Sequence, residues 1–227
     1  KLFDVFGDGA LLTQKGQLTF IAGPVSLSQS RFLVEPLTVE ADNEHFATVT
    51  IELKDAQSNP VVNHQIGLTV SGIEASITQP DPPVTDASGL FTATIKSMDV
   101  GKANINAQDI TQTIVLGTAE VDFIAGIVDP VRSTIQASTQ ILKANGTDMA
   151  LYVVTLMDSW DRPLSGHEVE VSVSGWENII NGPAPQLTGA DGKANFSLSS
   201  TRVETKTLTF RDKTVGITLR QMPVITF

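Results

Sequence analysis

Few residues of this chain have the type and spacing to do chemistry. There are three histidines, His45, His64 and His167, and no cysteine. A metal centre needs several nitrogen, sulfur or oxygen ligands converging on one point. His64 and His167 occupy equivalent places 103 residues apart, and His45 has no counterpart in the second half. Nothing in that spacing gathers the three, so His64 and His167 read as partly exposed strand histidines. Without cysteine there is no disulfide, thiolate zinc site or thiol nucleophile. The HExxH and GxSxG patterns do not occur, which removes the common zinc-hydrolase and serine-nucleophile signatures. Paired carboxylates can hydrolyse a glycosidic bond only across a cleft, and a small two-sheet domain does not naturally provide one. Asp42, Asp122 and Asp129 fall near expected domain ends, where calcium can bridge tandem domains, but no dense Asp/Asn run accompanies them. The chemistry therefore points away from an enzyme, with no cofactor and no metal.

The elements that hold these residues are duplicated. Val70-Ser71-Gly72 returns as Val173-Ser174-Gly175, and Asp55, Pro60 and His64 return as Asp158, Pro163 and His167. Thr85, Ala87 and Gly89 return as Thr188, Ala190 and Gly192. A fixed offset of 103 residues marks two copies of one folding unit. A unit of ~100 residues is large enough to bury its own core. Duplication bears on function, because a catalytic site is normally unique whereas a spacer or a multivalent binder is copied.

Within each copy the apolar residues alternate. Ala47, Val49, Ile51 and Leu53 point one way, and Thr48, Thr50, Glu52 and Lys54 the other. That is the period of a half-buried strand. Ile66, Leu68 and Val70 follow it, as do Phe91, Ala93 and Ile95, then Ala103, Ile105 and Ala107. Val169, Val171 and Val173, and Ala194, Phe196 and Leu198, repeat it in the second copy. No stretch keeps a helical apolar period. Gln57-Ser58-Asn59-Pro60, Asp161-Arg162-Pro163, Ala87-Ser88-Gly89 and Ala190-Asp191-Gly192 are turn signals between the runs. Asp55 with Asn59-Pro60 reads as a tight turn whose side chains cap their own backbone. Short alternating strands with turns between them predict an all-β fold, two tandem sandwiches of about seven strands each, joined end to end. The expected boundaries are 24–126 and 127–227, with 1–23 as the closing strands of an earlier copy, since Phe20-Ile21-Ala22-Gly23 matches Phe123-Ile124-Ala125-Gly126.

Composition narrows the partners. At 41% hydrophobic and 18% charged the chain is too apolar for disorder. Its formal net charge of -10 argues against nucleic acid and anionic membrane, which need a basic face. No run approaches the ~18 apolar residues of a membrane helix, so no direct insertion by this segment is expected. The chain begins at Lys1 and shows no signal peptide, consistent with a mature or excised piece of something longer.

Three segments carry a family resemblance: A-T-V-T-I-E-L-K-D-A-Q-S-N-P from Ala47 to Pro60, T-D-A-S-G from Thr85 to Gly89, and V-D-F-I-A-G from Val121 to Gly126. Together they resemble the bacterial immunoglobulin-like (group 1) repeats of intimin- and invasin-type adhesins. The second copy is looser, keeping Asp158 and Pro163 but losing the Asn. The resemblance implies immunoglobulin-like sandwiches on the bacterial cell surface, in the extracellular part of a protein anchored in the outer membrane. It implies stalk domains of an adhesin that attaches to a host-cell surface or extracellular-matrix protein, here as a monomeric rod. The alternative is that these domains bind the host protein directly.

One feature of the second copy departs from the repeat. Where the first copy has Thr48, Thr50 and Lys54, the second has Leu151, Val153 and Met157, and Trp160 replaces Gln57. An apolar strip with an aromatic marks a contact surface. Trp176, just after a strand, is a further candidate anchor. These five residues are the expected partner or interdomain contacts.

Overall fold

A computed structural model of the chain describes residues 20–182 and 185–227, with the backbone of four two-residue strands ahead of them. Those are β1 (Leu2–Phe3), β2 (Phe6–Gly7), β3 (Ala10–Leu11) and β4 (Gly16–Gln17), with β1 paired to β4 and β2 to β3. The expectation for residues 1–23 falls mostly outside the described residues. Within it, Phe20 and Ile21 are exposed.

Two compact units form. The first holds residues 1–39 and 43–123, the second Glu40–Asp42 and Ile124–Phe227. Both are all-β sandwiches, and no helix is present among the described residues.

The first unit contains β5 (Arg31–Glu35), β6 (Thr38–Glu40), β7 (Ala47–Glu52), β8 (Ile66–Ser71), β9 (Ser76–Thr78), β10 (Leu90–Lys96), β11 (Gly101–Asp109) and β12 (Ile114–Ile124). One sheet runs β5-β7-β10-β9 and the other β6-β12-β11-β8. Ala47, Val49, Ile51 and Leu53 are fully buried while Thr48, Thr50 and Glu52 stay half-buried. Ile51 lies between Phe32 on β5 and Phe91 on β10 in register. Ala103, Ile105 and Ala107 of β11 fill the core from the other sheet.

The second unit contains β13 (Thr134–Ala137), β14 (Ala150–Thr155), β15 (Glu168–Val173), β16 (Asn178–Asn181), β17 (Gln186–Leu187), β18 (Lys193–Ser200), β19 (Thr205–Asp212), β20 (Ile217–Thr218) and β21 (Val224–Thr226). Its sheets run β13-β14-β18-β16 and β17-β15-β19-β20, with β21 also on β19. Among the described residues each sandwich has more strands than the seven or so expected. The surplus consists of pieces two or three residues long, too short to show an alternating run.

The two cores divide their volume differently. Phe91 and Ala93 are inward on β10, whereas the matching positions on β18 are Ala194 and Phe196. The second unit also replaces Val49 by Tyr152 and Ala107 by Phe210. The result is an aromatic group, with Phe196 edge-on to Phe210 at 5.5 Å and Tyr152 tilted on Phe210 at 6.0 Å. Such pairs favour edge and tilted geometries because the ring faces carry negative charge and the edges positive. The cost falls on Tyr152. Its hydroxyl is buried without a hydrogen-bond partner, and burial alone pushes its pKa up to about 12.

The loop at Gly89 explains one retained motif. Gly89 (φ 75°) and Gly192 (φ 70°) sit in the left-handed region, and a Cβ there would come within 2.5 Å of Leu53 O and 2.6 Å of Leu156 O respectively. Only glycine fits both constraints.

Ile51→Ala should cost the first unit ~2–5 kcal/mol by leaving a cavity. Tyr152→Phe should stabilise the second unit by about 1 kcal/mol, because it removes an unsatisfied buried hydroxyl. Calorimetric scans of the variants check both, as opposite shifts in the transitions of different units.

Candidate functional site

Each unit carries a buried aspartate that gathers its loop. In the first unit Asp55 Oδ1 accepts the N–H groups of Gln57 and Asn59, both at 2.9 Å. Its Oδ2 accepts Asn59 Nδ2 at 2.9 Å and the Gly23 N–H at 2.8 Å. The Asn59 amide foremost, then the Gly23 N–H, hold the Asp55 pKa at about 2 against the opposing effect of burial. Asp158 repeats the arrangement in the second unit. Its Oδ1 accepts Trp160 N at 2.9 Å and Arg162 N at 3.0 Å, and its Oδ2 accepts Gly126 N at 3.0 Å. Arg162 Nε donates to Oδ2 at 2.7 Å. Burial works against this charge, but the N–H groups of Arg162, Trp160 and Gly126 with the guanidinium outweigh it and lower the pKa. The arginine thus replaces the lost asparagine as donor. Its Nη1 also donates to the carbonyl of Ala41, in the same compact unit.

Each matched histidine is paired with an aspartate of its own unit. His64 Nδ1 lies 2.8 Å from Asp109 Oδ2, and His167 Nδ1 lies 2.6 Å from Asp212 Oδ2. Both carboxylates are fully buried. The histidines precede β8 and β15 rather than lying within them, so their description as strand histidines needs this correction. A threonine completes each pin. His64 N donates to Thr85 Oγ1 at 3.1 Å, and Thr85 Oγ1 donates to Val61 O at 2.8 Å. Thr188 does the same for His167 and Leu164. This fourfold retention (Asp, Pro, His, Thr) therefore fixes loops to strands.

The predicted contact strip is brought together only in part. Leu151 and Val153 share the outer face of β14, with Leu151 56% exposed and Val153 half-buried. Their cross-strand partners on β18 are Ser197 and Asn195. Met157 is half-buried, bridges to Pro163, and leads into the Asp158 loop that carries exposed Trp160. The register adds two residues that sequence reasoning missed. Met149 precedes β14, and its Sδ accepts contacts from Asn181 Nδ2 and Ser197 Oγ at 3.5 and 3.7 Å. Ile179 of β16 pairs with Ser199 on that face. Only the pairing of β16 with β18 reveals them.

Trp176 does not join the strip. Trp160 lies in the loop before β15 and Trp176 in the loop after it, on either side of a strand of six residues that spans ~20 Å. Trp176 is 71% exposed, yet its backbone is held at both peptide groups. Its N–H donates to Glu204 Oε1 at 2.8 Å, and its carbonyl accepts Lys206 Nζ at 2.7 Å. Lys206 is fully buried and pairs with Glu204 at 2.5 Å. The Lys206 hydrogen bond, followed by the Trp176 N–H, lowers the Glu204 pKa. The first unit has Gly101 and Ala103 at the positions of Glu204 and Lys206.

The family model for the bacterial Ig-like domain (group 1) matches twice, over residues 29–124 and 132–225. The chain belongs to this family. Among curated relatives, an intimin of Escherichia coli O111:H- is 26% identical over 171 residues, covering 74% of this chain and 18% of that protein. The inverse autotransporter adhesin YeeJ of Escherichia coli K12 is 26% identical over 193 residues, covering 79% of this chain and 8% of that protein. The chain thus spans less than a fifth of the length of these relatives. The crystal structure of invasin, a bacterial integrin-binding protein, superposes with a TM-score of 0.75 at 21% identity, over 97% of this chain and 43% of that one. The Escherichia coli adhesin FdeC gives 0.63 at 18% identity, over 96% and 70%. These structural likenesses establish the fold.

The depressed Asp55 pKa sets a pH dependence. A carboxylate whose folded pKa lies below its ordinary 3.8 adds stability that is complete above that value and is lost as pH falls toward 2. Urea denaturation of the native chain and Asp55→Asn should show a gap between them that is constant from pH 7 to about 4 and narrows toward pH 2. A gap unchanged at pH 2 would contradict the assignment.

Proposed function

We propose that the chain is stalk from a bacterial surface adhesin, displayed on the cell exterior and holding an adhesive part away from the outer membrane. The observation that supports this most is the duplication itself. Two copies of one sandwich retain the residues that pin loops to strands, while the exposed faces between the pins diverge. Selection for a spacer keeps the fold and leaves the surface free. The family membership and the intimin and YeeJ likenesses support placement in an adhesin that attaches to host cells. On this reading the domains run 24–126 and 127–227, and their role is mechanical rather than catalytic.

A second reading, direct attachment by the second unit to a host-cell or extracellular-matrix protein, draws on the apolar outer face at Leu151 and Val153. The two readings part under domain exchange. In the parent adhesin displayed on bacteria, residues 24–227 are replaced by two unrelated Ig-like domains of similar length. A stalk predicts that attachment to host cells survives at equal surface display, and that Val153→Lys leaves it unchanged. Loss of attachment in both variants would replace the stalk reading with the direct one.

A further inference from the structure

The clamp on Trp176 is not needed to build the sandwich. The first unit forms the same fold with Gly101 and Ala103 where the second has Glu204 and Lys206. A fully buried ammonium is costly even when paired, and apolar replacements of buried ion pairs are often neutral or stabilising. Where such a pair is kept, the groups it touches indicate its use. Here it touches the N–H and the C=O of Trp176. The N–H and the C=O of the residue are tied to one ion pair, whose lysine is fully buried and whose glutamate is half-buried, while the residue itself is 71% exposed.

The surroundings specify what the indole could meet. Glu177 follows it, and its Oε2 accepts the Thr201 hydroxyl at 2.6 Å. Arg202 is half-exposed and lies 3.5 Å from Glu204. Val203, 80% exposed, stands between them in sequence. The charges of Glu177, Glu204, Arg202 and Lys206 cancel, so the patch offers no net attraction to an ionic partner. The exposed apolar side chains nearest to Trp176 in sequence are Ile179 and Ile180, with Val203 beside the Glu204 that accepts the Trp176 N–H, and polar groups stand among them. The result is an exposed aromatic side chain on a backbone tied at both its N–H and its C=O, with a carboxylate, a hydroxyl and a guanidinium on neighbouring residues. An apolar face with donors and acceptors at its edge suits a ring with C–H groups on one side and hydroxyls around its rim.

We infer that Trp176 is the stacking platform of a binding site for uncharged oligosaccharides, with Glu177, Thr201 and Arg202 as the hydroxyl-binding rim. Glu204 and Lys206 are positioning residues that set the angle of the platform. This inference does not depend on the stalk reading, and either can fail without the other.

The chain has two tryptophans, so Trp160→Phe leaves Trp176 as the only indole. Fluorescence of that variant is followed against a panel of neutral oligosaccharides built from glucose, galactose, mannose and N-acetylhexosamine units, with sialylated forms alongside. The expected result is a saturating change with at least one neutral sugar, and, by calorimetric titration, loss of that binding in Trp176→Ala with an unchanged melting temperature. Glu177→Gln and Arg202→Gln should each weaken it. The double variant Glu204→Gln/Lys206→Met should keep its melting temperature, lower the fluorescence anisotropy of Trp176, and weaken binding about three- to tenfold, the effect of freeing one ordered side chain. No response across the panel, a response to sialylated forms alone, or binding that survives Trp176→Ala would overturn the assignment.

Discussion

The loops at one end of each sandwich depend on a carboxylate that cannot be left unsatisfied. Asp55 and Asp158 are buried, and a buried charge without partners would cost several kcal/mol. Each is therefore surrounded by N–H donors from its own loop and by one from a glycine far back in sequence, Gly23 or Gly126. The carboxylate fixes the loop, and the same connection carries the histidine that meets Asp109 or Asp212 before the following strand begins. Hydrogen bonds to a charged acceptor are about twice as strong as neutral ones, so the constraint is stiff as well as directional.

The same device tolerates a change of donor. Asn59 and Arg162 share no shape, yet each presents an N–H to the aspartate Oδ2. The arginine has donors left over, and one reaches Ala41. The interaction selects for a donor at that position rather than for a residue type. This is why the second copy looks degenerate as a motif while its loop is intact.

The cores show a similar freedom. Phe91 and Ala93 exchange sizes with Ala194 and Phe196, and the sandwich closes in both cases. Total volume and inward placement are what a core demands. Polar groups are less forgiving, as the unpartnered Tyr152 hydroxyl shows. The divergence reaches the surface as well, where the pairing of buried Lys206 with half-buried Glu204 and an exposed Trp176 belong to the second unit.

The strand pattern was legible in the chain itself. Side chains alternate across a strand by geometry, so Ala47 to Leu53 or Ala194 to Leu198 could be assigned inward with no knowledge of their neighbours. The duplication, the turns at Asp55 and Gly89, and the family resemblance were legible for the same reason, being local or periodic. Contacts distant in sequence were not. His64 gave no sign of Asp109, 45 residues on, nor Met149 of a shared face with Ile179, because sheet register is set by the packing of whole strands. Lys206 falls on the inward side of β19 with Leu208 and Phe210, yet alternation alone names no partner for its charge. Only folding set its amine against the Trp176 carbonyl and Glu204, since such contacts belong to the assembled sandwich and to no single segment of it.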